Sequence, residues 1–392
     1  MVATSAPSDG RLASSAAAVL RAVLRNGPVP RRTLSRLTGL SGAAVSRHCT
    51  RLAELGLITE TSAIQRVGRP HVPVDIDVSS HRVAGVHVAH EFCTIVVLDL
   101  RCRVLAQRRV PHVSDDPVKV LTNAAEKLTS LVLEVIPGQA PLSLGVATGG
   151  WVDQDAGVMV EHASLGWRDV PLRDVFARRL GLPVHVDNHT RALMHAEELF
   201  GAVGDRDSVL HLFVGNVVDA AVRMGGQTLR GKRSAAGDIA HLPVGAPDIR
   251  CREGHFGCFE ATVADQAWSQ RVSGRSFWDL LAAAESGDAL ARKHLVNRSR
   301  IIGRAAALLY DLVNPDLLVV AELGANSFPE CLAAIRAEVG TRSRAPEDTV
   351  QASSFGSATV LAVSAGAAAL DVLYGNPLAA SFAPVSHPVG AT

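Results

Sequence analysis

A chain of 392 residues with 47% hydrophobic content is long enough for more than one domain and for a sizeable core. Its formal charge of +1 argues against nonspecific coating of polyanions, and no window approaches 18 uninterrupted apolar residues, so no membrane span is expected. The first dozen residues lack the apolar stretch of a secretory leader, and cysteines scattered at 49, 93, 102, 251, 258 and 331 make no disulfide framework; the expectation is a cytoplasmic protein with reduced thiols.

Residues 1–12 read as a disordered N-terminus, and Ser14–Arg25 as a first helix. Arg31–Ile58 (RRTLSRLTGLSGAAVSRHCTRLAELGLI) then reads as two short helices joined by a tight turn. Leu34, Leu37, Leu40, Val45, Leu52 and Leu55 give the apolar spacing of a compact helical core. Gly39 falls where the turn needs positive φ, and Ser41 where a helix N-cap belongs. Gly42, Ala43, Ser46, Arg47, Thr50 and Arg51 then face outward. Small residues permit close approach to a major groove, and arginines reach phosphates or guanine edges. A helical hairpin with a merely solvated basic face is the competing reading, and the residues C-terminal to the hairpin weigh against it. Leu57–Glu60 reads as a strand, and Val72, Val74, Ile76 and Val78 alternate as another. Between them Gln65–Pro70 forms a basic wing, kept narrow by Gly68 and Pro70, that could carry Arg66 or Arg69 into an A·T-rich minor groove. Residues 13–80 are therefore expected to be a winged helix-turn-helix. Its DNA-contacting residues are taken as Arg31, Ser41, Ser46, Arg47, Thr50, Arg51, Arg66, Gly68 and Arg69. Residues 1–82 hold eleven arginines, no lysine and five acids, a charge of +6, which leaves −5 for the rest. A basic module on a mildly acidic body suits a sequence-specific binder.

From about residue 81 the pattern alternates strands and helices. Val83–Ala89, Cys93–Leu100 and Arg103–Val110 read as strands, Pro117–Val135 as a helix and Leu142–Ala147 as a buried strand. Ser208–Val214 and Ala220–Met224 open a second set, continued by a helix at Ala289–Asp311, a strand at Asp316–Ala321 and a helix at Ser357–Tyr374. Two α/β lobes around a cleft are expected, about 81–200 and 201–375, with 376–392 a Pro- and Ala-rich flexible tail.

Residues 235–260 (AAGDIAHLPVGAPDIRCREGHFGCFE) resemble the signature of the ROK family of repressors, uncharacterised reading frames and sugar kinases. The family pattern A-G-E-x-G-H is followed by C-x-C-G-x-x-G-C-x-E; here His241 is followed ten residues on by Cys251, seventeen on by Cys258, and then by Glu260. Residues 165–201, 312–318 and 358–370 resemble further family segments, and the repressor branch joins a winged helix ending in G-R-P to this body. The resemblance implies a winged helix-turn-helix followed by a two-lobed actin-like ATPase/ROK sugar-kinase fold.

It also shows where this chain departs from the kinases. The D-x-G-G-T phosphate loop falls on His87–Glu91, the G-T-G-I-G turn on Gly215–Asp219, and a later glycine pair on Ala321–Gly324. The catalytic Asp of the family's N-D pair falls on His189. Glycine amides that cradle phosphate are gone, so neither ATP binding nor catalysis is expected. The family's structural zinc would fall on His241, Cys251, Glu253 and Cys258, with Glu253 replacing a Cys; a carboxylate can ligate zinc, or the metal has been lost. The sugar-contacting positions fall on Ser164, Asn188, His189, Asp238, His241 and Glu260. The resemblance thus implies a regulator, more readily a repressor, with a sugar or sugar phosphate effector. It would act as a homodimer or tetramer on a pseudo-palindromic double-stranded operator with A/T-rich flanks, away from any membrane. A ligand-unresponsive dimeric DNA-binding protein is the alternative, and an active sugar kinase a distant third.

Overall fold

The computed structural model describes residues 7–61 and 72–379. The head is built from α1 (Pro7–Asn26), α2 (Arg31–Thr38) and α3 (Gly42–Glu54), followed by the antiparallel pair β1 (Ile58–Glu60) and β2 (Val74–Ile76). Helix α1 starts at Pro7, inside the stretch expected to be disordered; proline's fixed φ suits the first helical position, and the Ala-rich run that follows propagates the helix. Gly39 takes φ +69° after α2, and the Ser41 hydroxyl accepts the Ala44 N–H at 3.3 Å to cap α3. Leu34, Val45 and Leu52 are buried with Leu20 and Val23, and Leu40 and Leu55 pack beside them. Leu37 does not join them: it lies on the outer face of α2, 47% exposed. The wing residues Arg66, Gly68 and Arg69 lie outside the described residues.

The first lobe runs β3 (Val83–Val88), β4 (Phe92–Leu98), β5 (Val104–Pro111), α4 (Pro117–Val135), β6 (Leu144–Thr148), β7 (Trp151–Asp153), β8 (Val158–His162), β9 (Trp167–Val170), α5 (Leu172–Leu180), β10 (Val184–Asn188) and α6 (His189–Phe200). Its main sheet has the order β10-β6-β3-β4-β5, antiparallel across β3-β4-β5 and parallel across β3-β6-β10; β7-β8-β9 form a small separate sheet. The second lobe runs β11 (Val209–Val214), β12 (Val218–Met224), β13 (Gln227–Thr228), α7 (Phe259–Val263), α8 (Asp265–Ser273), α9 (Phe277–Glu285), α10 (Ala289–Val313), β14 (Leu317–Glu322), α11 (Leu323–Ser327), α12 (Pro329–Arg342), β15 (Val350–Ala352) and α13 (Val360–Gly375). Its sheet has the order β13-β12-β11-β14-β15. Each lobe thus opens with antiparallel strands and continues in parallel, the expected two-lobed arrangement.

Helix α13 follows the second lobe in sequence but packs on the first lobe's sheet. The run Ala362–Leu370 is almost all small residues, and Gly85 and Gly145 face it so closely that a Cβ at Gly145 would lie 1.9 Å from the Ala365 carbonyl oxygen. Against α13 and α6 lies α1. Leu20, Val23 and Leu24 share one apolar cluster with Leu100, Val363, Leu370 and Tyr374, so the core of the head continues into that of the body. Arg21 Nε donates to the Tyr374 carbonyl at 3.2 Å, and the Tyr374 hydroxyl donates to the Leu100 carbonyl at 2.7 Å. Arg101, on the β4–β5 turn, pairs with Asp75 and donates to the Leu24 carbonyl, tying down the other side of the head.

Candidate functional site

The cleft between the lobes collects most of the residues of the body that the sequence singled out. Strand β10 ends at Asn188 and α6 begins at His189, which puts His189 in the cleft and Asn188 buried beside it. Asn188 Oδ1 caps α6 by accepting the Thr190 N–H at 2.8 Å, while its amide donates to the Gly150 carbonyl at 2.9 Å and to Asp219 at 3.2 Å. Its hydrogen-bonding capacity goes to holding the turn, so Asn188 is a structural post rather than a free ligand contact. His189 is buried between two partners: Nε2 lies 3.1 Å from Asp219 Oδ2 and Nδ1 lies 3.2 Å from His87 Nε2. Its ring also meets Phe213 at 4.1 Å between centroids.

Asp219 is the residue that sequence reasoning undervalues. In the sequence it stands only as an acid in a former phosphate turn, yet its carboxylate also accepts the Gly150 N–H at 3.2 Å and so ties β12 to the first lobe. Asp238 and Glu260 join it on the second-lobe wall, with Ser164 opposite, 3.2 Å from His162 Nδ1. Burial, reinforced by Asp219 and Asp238, pushes the Glu260 carboxyl up to about 7. Desolvation in the cleft and the Asp219 charge likewise raise Asp238. Burial drives His162 down to about 4 and His87 well below its ordinary value, so both imidazoles are neutral near pH 7. Trp151, Arg168, Arg250 and Arg252 complete the polar rim.

Two backbone amides in the second lobe are taken up by carboxylates of the same chain. The Val218 N–H donates to Glu260 Oε2 at 3.0 Å, and the Ala325 N–H at the start of α11 donates to Glu322 Oε2 at 2.6 Å. Glu322 and Asp265 both grip the buried Arg298.

The loop before α7 gathers His241, Cys251, His255 and Cys258, whose donor atoms all lie within 4.8 Å of one another. Glu253 is not the fourth member as expected: His255 is, and the Glu253 carboxylate sits 3.6 Å from the opposite nitrogen, His241 Nε2. His241 Nδ1 lies 3.4 Å from Cys258 Sγ and 3.8 Å from Cys251 Sγ. A tetrahedral zinc with ordinary Zn–N and Zn–S bonds separates such ligands by roughly 3.6 Å, so the donors fit that ion in type and spacing. Nothing in the spacing of the acids and cysteines alone distinguishes His255 from a loop histidine.

On the head, α3 exposes Ser41, Gly42, Ala43, Arg47, Thr50 and Arg51, with Ser46 partly covered. Arg31 pairs with Glu60 at 2.8 Å and Arg51 with Glu54 at 3.1 Å. Both pairs are exposed and therefore weak enough to be exchanged for phosphate. No described helix is long and apolar enough to cross a membrane.

Comparison with known proteins places this geometry. A sequence profile described as the ROK family matches residues 83–370, and one described as the MarR family matches residues 12–66. The chain is 33% identical to Transcriptional regulator Rv0485 of Mycobacterium tuberculosis over 94% of its own length and 87% of the relative's. It is 23% identical to the Xylose repressor of Bacillus subtilis over 83% of this chain and 86% of that one. Among solved structures, a ROK family transcriptional regulator homologous to the MLC protein of E. coli superposes with a TM-score of 0.77 at 23% identity, covering 94% of this chain and 98% of that one. A ROK family glucokinase from Streptomyces griseus, in complex with glucose and AMPPNP, gives 0.63 at 22% identity over 72% of this chain and 98% of that one, a likeness of fold.

Proposed function

The chain belongs to the ROK family, in the form that joins a winged helix-turn-helix to a kinase-like body, and on that premise we propose that it is a sequence-specific transcriptional repressor controlled by a carbohydrate. The observation that carries this is α3. Val45, Cys49 and Leu52 fix one face in the core, and the other presents small residues and free arginine to the outside. Two such heads in a homodimer, or four in a tetramer, would address a pseudo-palindromic operator in the cytoplasm, the wing Arg66–Arg69 lying on A/T-rich flanks.

The body supplies a sensor rather than a catalyst. A kinase needs open amides and a carboxylate base, whereas here Glu260 and Glu322 occupy the amides and His189 stands where the base belongs. Ser164, His189, Asp238 and Glu260 would hold the sugar hydroxyls, and Asn188 would keep the floor rigid. Zinc, bound by His241, Cys251, His255 and Cys258, would supply a structural cross-link that fixes the loop carrying Glu260. Closure of the lobes on the effector would change the spacing of the two heads, provided the closed state binds sugar better than the open one.

The test is operator selection from genomic fragments with purified protein, followed by mobility shifts with and without a sugar panel. Selected palindromic sites released by one sugar are expected. Failure to enrich any DNA would sink the regulator reading. Enrichment that no sugar moves would favour the unresponsive dimeric regulator, for which the carboxylate-filled cleft is the supporting observation.

A further inference from the structure

Beyond the polar wall the cleft continues into a second chamber of opposite character. His90, Ser164, Asn216 and Val217 line both halves, so the two are one continuous space. The far half is walled by Phe92 from the first lobe, by Phe213 and Leu323 from the second, and by Phe355 and Leu361 ahead of and within α13. Among the described residues, one arginine that lines it, Arg109, has no ion-pair partner. Arg298 is spent between Asp265 and Glu322, and Arg109 lies across the mouth with its guanidinium 4.8 Å from the Phe92 ring and 5.2 Å from that of Trp278. Glu91 adds negative charge. Arg109, engaged with two rings and set against Glu91, leaves little net positive charge for phosphate or carboxylate, whereas the aromatic wall suits an uncharged ring.

Three ring nitrogens of residues lining it, His87 Nδ1, His90 Nδ1 and His189 Nε2, lack a hydrogen-bond partner among the described residues. His87 is 2% exposed, and its Nδ1 has no hydrogen bond although Nε2 faces His189 at 3.2 Å. The Asp219 carboxylate lies 3.1 Å from His189 Nε2 without hydrogen-bonding geometry, and its charge favours the tautomer with the proton on that nitrogen. His189 Nδ1 is then the acceptor, His87 Nε2 carries the donated proton, and His87 Nδ1 is left with a lone pair. A buried acceptor of this kind asks for a hydroxyl or N–H donor.

We infer that the two halves take one ligand, a carbohydrate joined to an uncharged apolar group: an aryl or short alkyl glycoside, with the sugar against Asp238 and Glu260 and the aglycone among the aromatic side chains. His87 Nδ1, in the wall of the far half, would accept from a hydroxyl of the ligand. This rests on the carbohydrate reading above and narrows it, from sugars or sugar phosphates to neutral glycosides.

Burying a ring of phenyl size from water is worth roughly one to two orders of magnitude in affinity. Calorimetric titration of the full-length protein with free hexoses, pentoses and N-acetylhexosamines, and with the 4-nitrophenyl glycoside of each, tests it. For the sugar that binds, the glycoside is expected to bind roughly 10- to 100-fold more tightly. Phe355→Ala and Phe92→Ala should each reduce that gain while leaving the Kd of the free sugar within about twofold. Equal affinity for sugar and glycoside, a gain untouched by both variants, or 4-nitrophenol alone binding as tightly as the glycoside would overturn the inference and leave the sugar reading standing. Silence of every sugar and every glycoside would overturn both.

Discussion

Arg47 stands exposed on α3 with no ion-pair partner among the described residues, while Arg31 and Arg51 rest on Glu60 and Glu54. On the proposed regulator reading, that difference would make Arg47 a base reader and Arg31 and Arg51 phosphate contacts. Arg47→Ala is expected to weaken operator binding by about 1–3 kcal/mol and relax preference at one base pair, measured by competition against single-base operator variants. Arg51→Ala should instead weaken all sequences alike and flatten the salt dependence. At the other end of the molecule, His255→Ala should cut zinc content after non-chelating purification well below one equivalent, whereas Glu253→Gln should leave it near one. The reverse result would restore Glu253 as the ligand. These two residues show where reading by spacing stops. The family pattern supplies the position of the missing ligand, but which nearby donor swings into it depends on the loop's path, and positions 253 and 255 are both chemically able. Asn188 misleads for a related reason: its type matches a sugar contact, yet a helix starting at the next residue claims its oxygen as a cap.

Helix α6 connects the two ends of the problem. It begins at His189 in the cleft and reaches Glu198 about two and a half turns later, roughly 14 Å along its axis. There Glu198 accepts from Arg21 of the head at 3.1 Å and sits 2.7 Å from Arg223 on β12 of the second lobe. If the cleft senses an effector as proposed, this buried helix, with His189 at one end and the Arg21 contact at the other, would give the coupling a route. Glu198→Gln should cost about 1–3 kcal/mol in stability and, more tellingly, shrink the effect of the effector on DNA affinity while both are still bound, read by titrating each ligand with and without the other. His195 on the same helix gives the joint a pH dependence. Burial depresses its imidazole, but Asp371 at 3.4 Å and Glu198 outweigh this and hold it above the ordinary value of 6.5. A raised histidine contributes stability that is full below 6.5 and lost as pH rises through its folded value. Amide exchange across α1 and α6 should therefore quicken relative to the rest of the fold as pH climbs above 6.5 and through the raised value, after correction for intrinsic rates; unchanged relative protection would refute it. Long periodic elements such as Pro117–Val135 are legible to the residue from their apolar spacing and the Asp116-Pro117 start. The β7-β8-β9 sheet is not, because its strands are three to five residues long and carry Asp, Glu, His and Arg, so no alternation survives.

At the scale of the whole molecule, the sequence suggests a head joined to a body near residue 80, and the packing gives a different picture of their independence. Leu20, Val23 and Leu24 bury themselves against Val363, Leu370 and Tyr374, so no polar seam divides the two. A chain lacking residues 1–80 would expose that apolar face. It should melt several degrees below the full-length protein and aggregate more readily in calorimetry, and an unchanged melting temperature would show that the head contributes nothing to the body's core. The close fit of α13 on Gly85 and Gly145 also means that the terminal helix carries three duties: it covers the first lobe's sheet, borders the aromatic chamber through Leu361, and seats the head through Tyr374. For anyone exchanging parts between related regulators, a DNA-reading head from this chain is not a cassette. Grafted onto another body it would arrive without its matching α13 and α6 surfaces, so heads and terminal helices should have to be transplanted together for the chimera to fold and to answer its ligand.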